Sequence, residues 1–358
     1  MKRIRTGALL LTAAALTLAL AGCVNPNIKT SKDFGGSSSA ASGAPAAESA
    51  AAPAAGSVEN AAESAPASAV SPAEGSASSA AESTVSGAAS TISGAETASG
   101  HVRTEEVTSE SVTLDPAWEY AANSKISSGA ATLYYAPASI ANGHVVCINA
   151  GHGTKGGSDV KTLCHPDGSP KVTGGTTGEG ATEAIAVSTG IDMKDGTHEA
   201  EVTKRLALVV KDKLLAKGYD VLMIRETDDV QLDNVARTVI ANNRADCHIA
   251  LHYDGTDFDK GVFFMSVPSA DVYRNMEPVK SHFEEHNRLG RTIVKALENA
   301  GFKLFEGGEM EMDLTQTSYS TVPSIDLEVG DSASDYSEAT LNQLADGIAA
   351  GLDTFFAS

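Results

Sequence analysis

Apolar positions follow two rhythms along the C-terminal part of the chain. Short continuous runs, rich in Val and Ile and bounded by Gly or polar residues, predict buried strands. They cover His144 to Ala150, Tyr219 to Arg225, Cys247 to His252, Gly261 to Val267 and Ser324 to Val329. Between them apolar residues recur every three or four positions, the period of a helix with one buried face. Val202, Leu206, Val209, Val210 and Leu214 form the first such pattern, stopped by Gly218. Val235 to Ala245 predicts a shorter helix, Arg288 to Ala300 an amphipathic one ended by Gly301, and Ala339 to Phe356 a closing helix. Residues 154–196, rich in Gly, Thr and Lys, read as loop.

Strands alternating with helices predict an α/β fold: one domain over residues 144–358, its mostly parallel sheet flanked by helices on both faces, with residues 111–143 as a lead-in. In such sheets ligands sit beyond the carboxyl ends of the strands. His152, His252 and Glu328 all fall at or just after a strand end, and Glu199 at the start of the first helix can join them.

The N-terminal third has a different pattern. Lys2, Arg3 and Arg5 precede an apolar run from Ala8 to Ala21 that ends at Leu20-Ala21-Gly22-Cys23, the order of a secretory signal peptide over residues 1–22. A spanning helix needs about 20 apolar residues, and this run stops short of that. Leu20-Ala21-Gly22-Cys23 resembles the lipobox of bacterial lipoproteins. The resemblance implies cleavage before Cys23, lipidation of its sulfur, and acyl chains such as palmitate that anchor an extracytoplasmic protein to the membrane of the cell envelope. Residues 23–110 are mostly Ala, Ser, Gly, Pro, Glu and Thr, with too few large apolar groups to offset the entropy of ordering. They predict a disordered tether with a reach of several tens of ångströms, from about 5–6 Å times the square root of residue number.

The net charge of −20 argues against a nucleic-acid partner. Cys147, Cys164 and Cys247 lack CxxC spacing, which disfavours a thiolate zinc site. Buried free thiols are the default for Cys147 and Cys247, and a bridge between them requires adjacent strands.

Two imidazoles and a carboxylate suffice to hold a catalytic Zn2+ that keeps a position open for water. His152, Glu199 and His252 are the candidates. A single His after a strand is more often a hydrogen-bonded rim residue, and His198-Glu199 begins an HExxH pattern that Val202 breaks. The ordered set says more. Val145-Val146-Cys147-Ile148-Asn149-Ala150-Gly151-His152-Gly153 comes first, followed by Gly196-Thr197-His198-Glu199-Ala200-Glu201-Val202. Then come the segments carrying Arg225, Arg237 and His252, and finally Val322-Pro323-Ser324-Ile325-Asp326-Leu327-Glu328-Val329-Gly330.

In this order, from about His144 to the C-terminus, the chain resembles the zinc-dependent N-acetylmuramoyl-L-alanine amidases of the amidase 3 type. The resemblance implies zinc held by His152, Glu199 and His252, and Glu328 as the catalytic carboxylate. It also implies peptidoglycan as substrate, cut between N-acetylmuramic acid and L-alanine, with Arg225 and Arg237 as supporting residues. The chain departs from the family at Asn149, where an Asp is usual and could support a ligand, and at the polar Asp331-Ser332-Ala333-Ser334. Glu201 competes with Glu199 as ligand. His248 shares a strand face with His252 and is set aside on the motif alone. His144, His165, His198, His282 and His286 read as surface residues. Two other readings stay open: a wall-binding lipoprotein that keeps the fold without catalysis, and another zinc peptidase acting on wall peptides.

Overall fold

The computed structural model describes residues 101–358; the signal peptide, Cys23 and most of the expected tether lie outside the described residues. Ten strands form: β1 (Thr108–Thr113), β2 (Ala130–Tyr135), β3 (Val145–Ala150), β4 (Lys161–Leu163), β5 (Glu183–Ile185), β6 (Asp220–Met223), β7 (Cys247–Asp254), β8 (Val262–Ser266), β9 (Leu304–Glu311) and β10 (Ser324–Asp331). The helices are α1 (Glu199–Ala216), α2 (Asn234–Arg244), α3 (Asp271–Arg274), α4 (Val279–Asn299), α5 (Thr315–Tyr319) and α6 (Glu338–Phe356).

Eight strands make one sheet in the order β1, β2, β6, β3, β7, β10, β8, β9. The centre, β6-β3-β7-β10, is parallel, while β1, β2 and β8 join their inner neighbours antiparallel. Alternation along the strands sorts side chains between the two faces. Val146, Ile148, Ile249, Leu251, Ile325 and Leu327 point into a large core under α1, α4 and α6. Cys147 and Leu222 face the other way, toward α2. The polar residues of β7 and β10 therefore lie on the α2 face, which fixes where chemistry can happen. Asp233 caps α2 by accepting from the Ala236 amide, and Ser337 caps α6 in the same way from Thr340.

Residues ahead of the expected boundary take part in the fold. Arg103 makes a two-pronged ion pair with buried Asp220 at 2.6 and 2.5 Å, and β1 runs through residue 110 in register with β2. Residues 101–110 thus belong to the fold and not to a tether, and the lead-in supplies the edge of the sheet. Composition missed this because the order there comes from distant partners, Asp220 and β2, and not from local apolar content. The pattern also differs elsewhere. β4 and β5 pair antiparallel inside the expected loop, α4 starts nine residues before the predicted Arg288, and β9 is a glycine-containing strand along β8. Among the described residues no helix is long and apolar enough to cross a membrane.

Candidate active site

His152 follows the end of β3 with a left-handed backbone, φ 65°, a conformation uncommon for residues other than Gly. Two buried arginines hold the chain there. Arg237 donates to the carbonyls of Ala150 and His152, and Arg225 to those of Ala150 and Gly151. Burial pushes Arg237 down to about 9 and Arg225 to about 10, so both stay charged at neutral pH. Their donors are spent on carbonyls, on the hydroxyls of Thr203 and Thr154, and on Asn149, whose Oδ1 accepts from Arg237 at 3.0 Å. Position 149 therefore supports the arginine clamp and does not bear on a ligand directly. The His152 ring is oriented from outside, its Nδ1 lying 2.9 Å from the Ser188 carbonyl and 3.0 Å from the Ser188 hydroxyl, which turns Nε2 inward.

Glu199 opens α1, where the helix dipole favours a carboxylate. Its Oε1 accepts from the Tyr253 amide at 2.9 Å and its Oε2 from the Ile191 amide at 3.0 Å. Burial opposes its ionisation, but hydrogen bonds from His152 and His252 outweigh it and hold the carboxyl well below its usual range. Glu201, two residues on and on another face of the helix, is exposed and lies outside the group.

His252 stands on β7 with Nδ1 3.0 Å from His152 Nε2 and 3.1 Å from Glu199 Oε1, and the latter two atoms are 2.9 Å apart. Two glycines make the room. A Cβ on Gly151 would sit 2.3 Å from the His252 ring, and one on Gly190, at φ +84°, would meet both His152 and Glu199. Donor atoms around a tetrahedral zinc with bonds of about 2.0–2.1 Å stand roughly 3.3 Å apart, so this His-Glu-His group has the spacing and chemistry to hold such an ion. The same three residues form one group by ligand-atom proximity, and His248 stands outside it. His248 is fully buried with neither ring nitrogen bonded.

Glu328 pairs in register with His252 on the neighbouring strand and lines the same cavity of about 560 Å³. Its Oε2 is buried without a hydrogen-bond partner. Burial, together with the charge of nearby Asp326, pushes its carboxyl well above the usual range. Asp326 escaped notice in the sequence, although strict polar-apolar alternation from Ser324 to Val329 puts it on the face of Glu328. His252 is pushed up to about 10: burial works against the charge, and the Asp326 and Glu199 carboxylates more than offset it.

The 154–196 insert also lines the cavity, together with Met265, Met310 and Met312. Buried Asp313 fastens the insert, accepting from Lys171 Nζ at 2.8 Å, from His165 Nε2 at 3.2 Å, from the Val172 amide at 2.7 Å and from the Thr173 hydroxyl. His165 is thus buried and not a surface residue, and so is His286, whose Nδ1 accepts from the Ser324 amide. Cys147, Cys164 and Cys247 are buried free thiols. The polar turn at Asp331 is structural: its carboxylate accepts from the amides of Lys260 and Ala333, tying the end of β10 to the loop after β7.

With the geometry in place, comparison with known proteins gives a consistent result. The family model described as N-acetylmuramoyl-L-alanine amidase matches residues 146–354. The crystal structure of the N-acetylmuramyl-L-alanine amidase Ami1 from Mycobacterium smegmatis is similar at 18% identity and a TM-score of 0.51, over 61% of this chain and 98% of that one. The N-acetylmuramoyl-L-alanine amidase of Clostridium difficile 630 aligns at 18% identity with a TM-score of 0.44, over 60% of this chain and 97% of its own. No curated protein matches the chain. At these identities the first likeness speaks for a common fold, while the family match spans more than half of the 358 residues. The chain belongs to the N-acetylmuramoyl-L-alanine amidase family and is a peptidoglycan amidase.

Proposed function

We propose that the chain is a zinc-dependent amidase that hydrolyses the bond between the lactyl group of N-acetylmuramic acid and the first L-alanine of the stem peptide. The observation that carries the metal assignment is the convergence of His152 Nε2, His252 Nδ1 and Glu199 Oε1 within 2.9–3.1 Å of one another. These three residues would hold the ion, which when bound polarises the amide carbonyl and acidifies the attacking water. Glu328 takes the proton of that water and passes it to the departing alanine nitrogen. Its Oε2 is buried and unpartnered, and the residue is level with His252, so that oxygen is held by no competing hydrogen bond. The arginine clamp keeps His152 in place through the cycle, and the insert, with Met265, Met310 and Met312 from outside it, lines the cavity.

Mass spectrometry of peptidoglycan incubated with the purified protein and zinc tests the reading. A free lactyl carboxylate with a new N-terminal alanine is the expected product pair. New ends within the peptide would instead mark a peptidase, and intact material a wall-binding protein without catalysis.

The Leu20-Ala21-Gly22-Cys23 box and the low-complexity stretch after it support a second part of the proposal: Cys23 carries the lipid that anchors the enzyme at the envelope, within tether reach of its substrate. Cys23→Ser should move the protein out of the membrane fraction, and unchanged retention would refute the anchor.

A further inference from the structure

We propose that Asp326 is a positioning residue of the metal centre, orienting His252 so that Nδ1 is the nitrogen offered to the ion. The proposal rests on the zinc reading and adds to it a fourth residue of the site that binds no metal itself.

Each histidine of the group has one nitrogen turned inward and one turned out. For His152 the outer nitrogen meets the Ser188 carbonyl at 2.9 Å. The outer nitrogen of His252 is Nε2, and the group it faces is Asp326 Oδ2 at 3.9 Å. The register explains the placement. Glu328 lies beside His252 and Asp326 beside Ala250, so Asp326 reaches the ring from one pleat away on the same face. Asp326 cannot be a further ligand of the same ion, because it approaches the edge of the ring opposite Nδ1, and its oxygens lie outside the group of converging ligand atoms.

Burial makes the assignment stronger. Asp326 Oδ1 is shut from solvent and has no hydrogen-bond partner. The charges that act on this carboxylate most are those of His252, Glu199 and His152. A carboxylate placed there is costly, and β10 alternates regularly enough that an apolar residue would fit the strand. What Asp326 offers in return is a fixed acceptor for the Nε2 proton. Metal-binding histidines usually donate their second nitrogen to such a carboxylate or carbonyl, which settles the tautomer and strengthens the bond to the metal. Closing 3.9 Å to a hydrogen bond needs only a small side-chain rotation.

The test compares the wild-type protein with Asp326→Leu and Asp326→Asn, using zinc affinity from chelator competition and the nitrogen NMR signals of His252. The wild type should bind zinc with His252 in a single tautomer protonated at Nε2. Asp326→Leu should bind about 10–100-fold more weakly, with His252 no longer in one tautomer. Asp326→Asn keeps an acceptor oxygen and should fall between the two. The metal-stripped Leu variant should stay folded, which denaturant unfolding beside metal-stripped wild type checks. If the wild type binds zinc and the folded Leu variant binds it equally well, Asp326 loses the role while the metal reading stands. Should the Leu variant fail to fold, an Asn variant with unchanged affinity and an unchanged His252 tautomer overturns the proposal. A wild-type protein that binds no zinc overturns both readings.

Discussion

Two clusters of histidine and carboxylate serve one cavity, one lining it around Glu199 and one around buried Asp313 that fastens the insert, and they behave differently. Around Asp313, every carboxylate oxygen is matched by donors from Lys171, His165, Val172 and Thr173. Nothing there is left to bind a ligand. Around Glu199, the inner atoms of His152, His252 and Glu199 crowd one another at 2.9–3.1 Å, while Asp326 and Glu328 each keep a buried oxygen without a partner. Both clusters pair acids with imidazole, and residue types alone would not separate them. Saturation separates them. A closed network rigidifies, here by pinning the insert to the segment after β9, whereas an open one stores unmet bonding capacity for something that arrives.

The largest effects should fall on the open cluster. Glu199→Ala should remove zinc from the purified protein and reduce hydrolysis to the level of metal-stripped enzyme, while Glu201→Ala leaves both unchanged. Metal analysis alongside an activity assay reads both at once, and the opposite pattern would hand the ligand role to Glu201. Glu328→Gln should lower the rate by about 10²–10⁴-fold, the usual contribution of a positioned acid–base group, with zinc content intact. A near wild-type rate would remove Glu328 from the chemistry.

Smaller effects should appear in stability. Asp313→Ala leaves Lys171 buried without its counter-charge and should cost about 3–5 kcal/mol in denaturant unfolding, with metal content per folded molecule preserved. If that variant kept its stability but lost zinc, the two clusters would not be the separate devices described above.

The clusters should also differ in pH dependence. Burial would raise the Asp313 carboxyl, but the hydrogen bonds from His165, Lys171 and Thr173 prevail and hold it low. A depressed native value gives stability that is present above the unfolded value of about 3.9 and is lost as pH falls below it. Glu328 is raised by burial and by Asp326, so its contribution has the opposite sign: present at low pH and lost as pH rises toward its native value. In metal-stripped protein, Asp313→Ala should therefore flatten the acid side of a stability profile, and Glu328→Gln should raise stability on the alkaline side. Paired unfolding curves between pH 3 and 8, a range chosen to bracket both ordinary carboxylate values of about 4, would show whether the signs differ.

Much of this was readable in the chain before folding. The five buried strands, the helices after them and the order of His152, Glu199, His252 and Glu328 along the chain follow from local period and from motif, because a strand or a helix face needs only its own residues to be recognised. The alternation from Ser324 to Val329 even contained Asp326, though nothing local distinguished it from a solvent-facing acid. Packing decided the rest. Whether Glu199 or Glu201 faces the histidines depends on how α1 docks on the sheet, and whether His165 is a surface residue depends on Asp313, far along the chain. The inclusion of residues 101–110 in the fold depends on Asp220 and β2. Periodicity reports what a segment can bury, whereas the partner of a single buried polar group is chosen by chain crossings that bring distant residues together. The central strands and main helices of this amidase were therefore legible in its sequence, and the distinction between its structural acids and its chemical ones was made only by the tertiary structure.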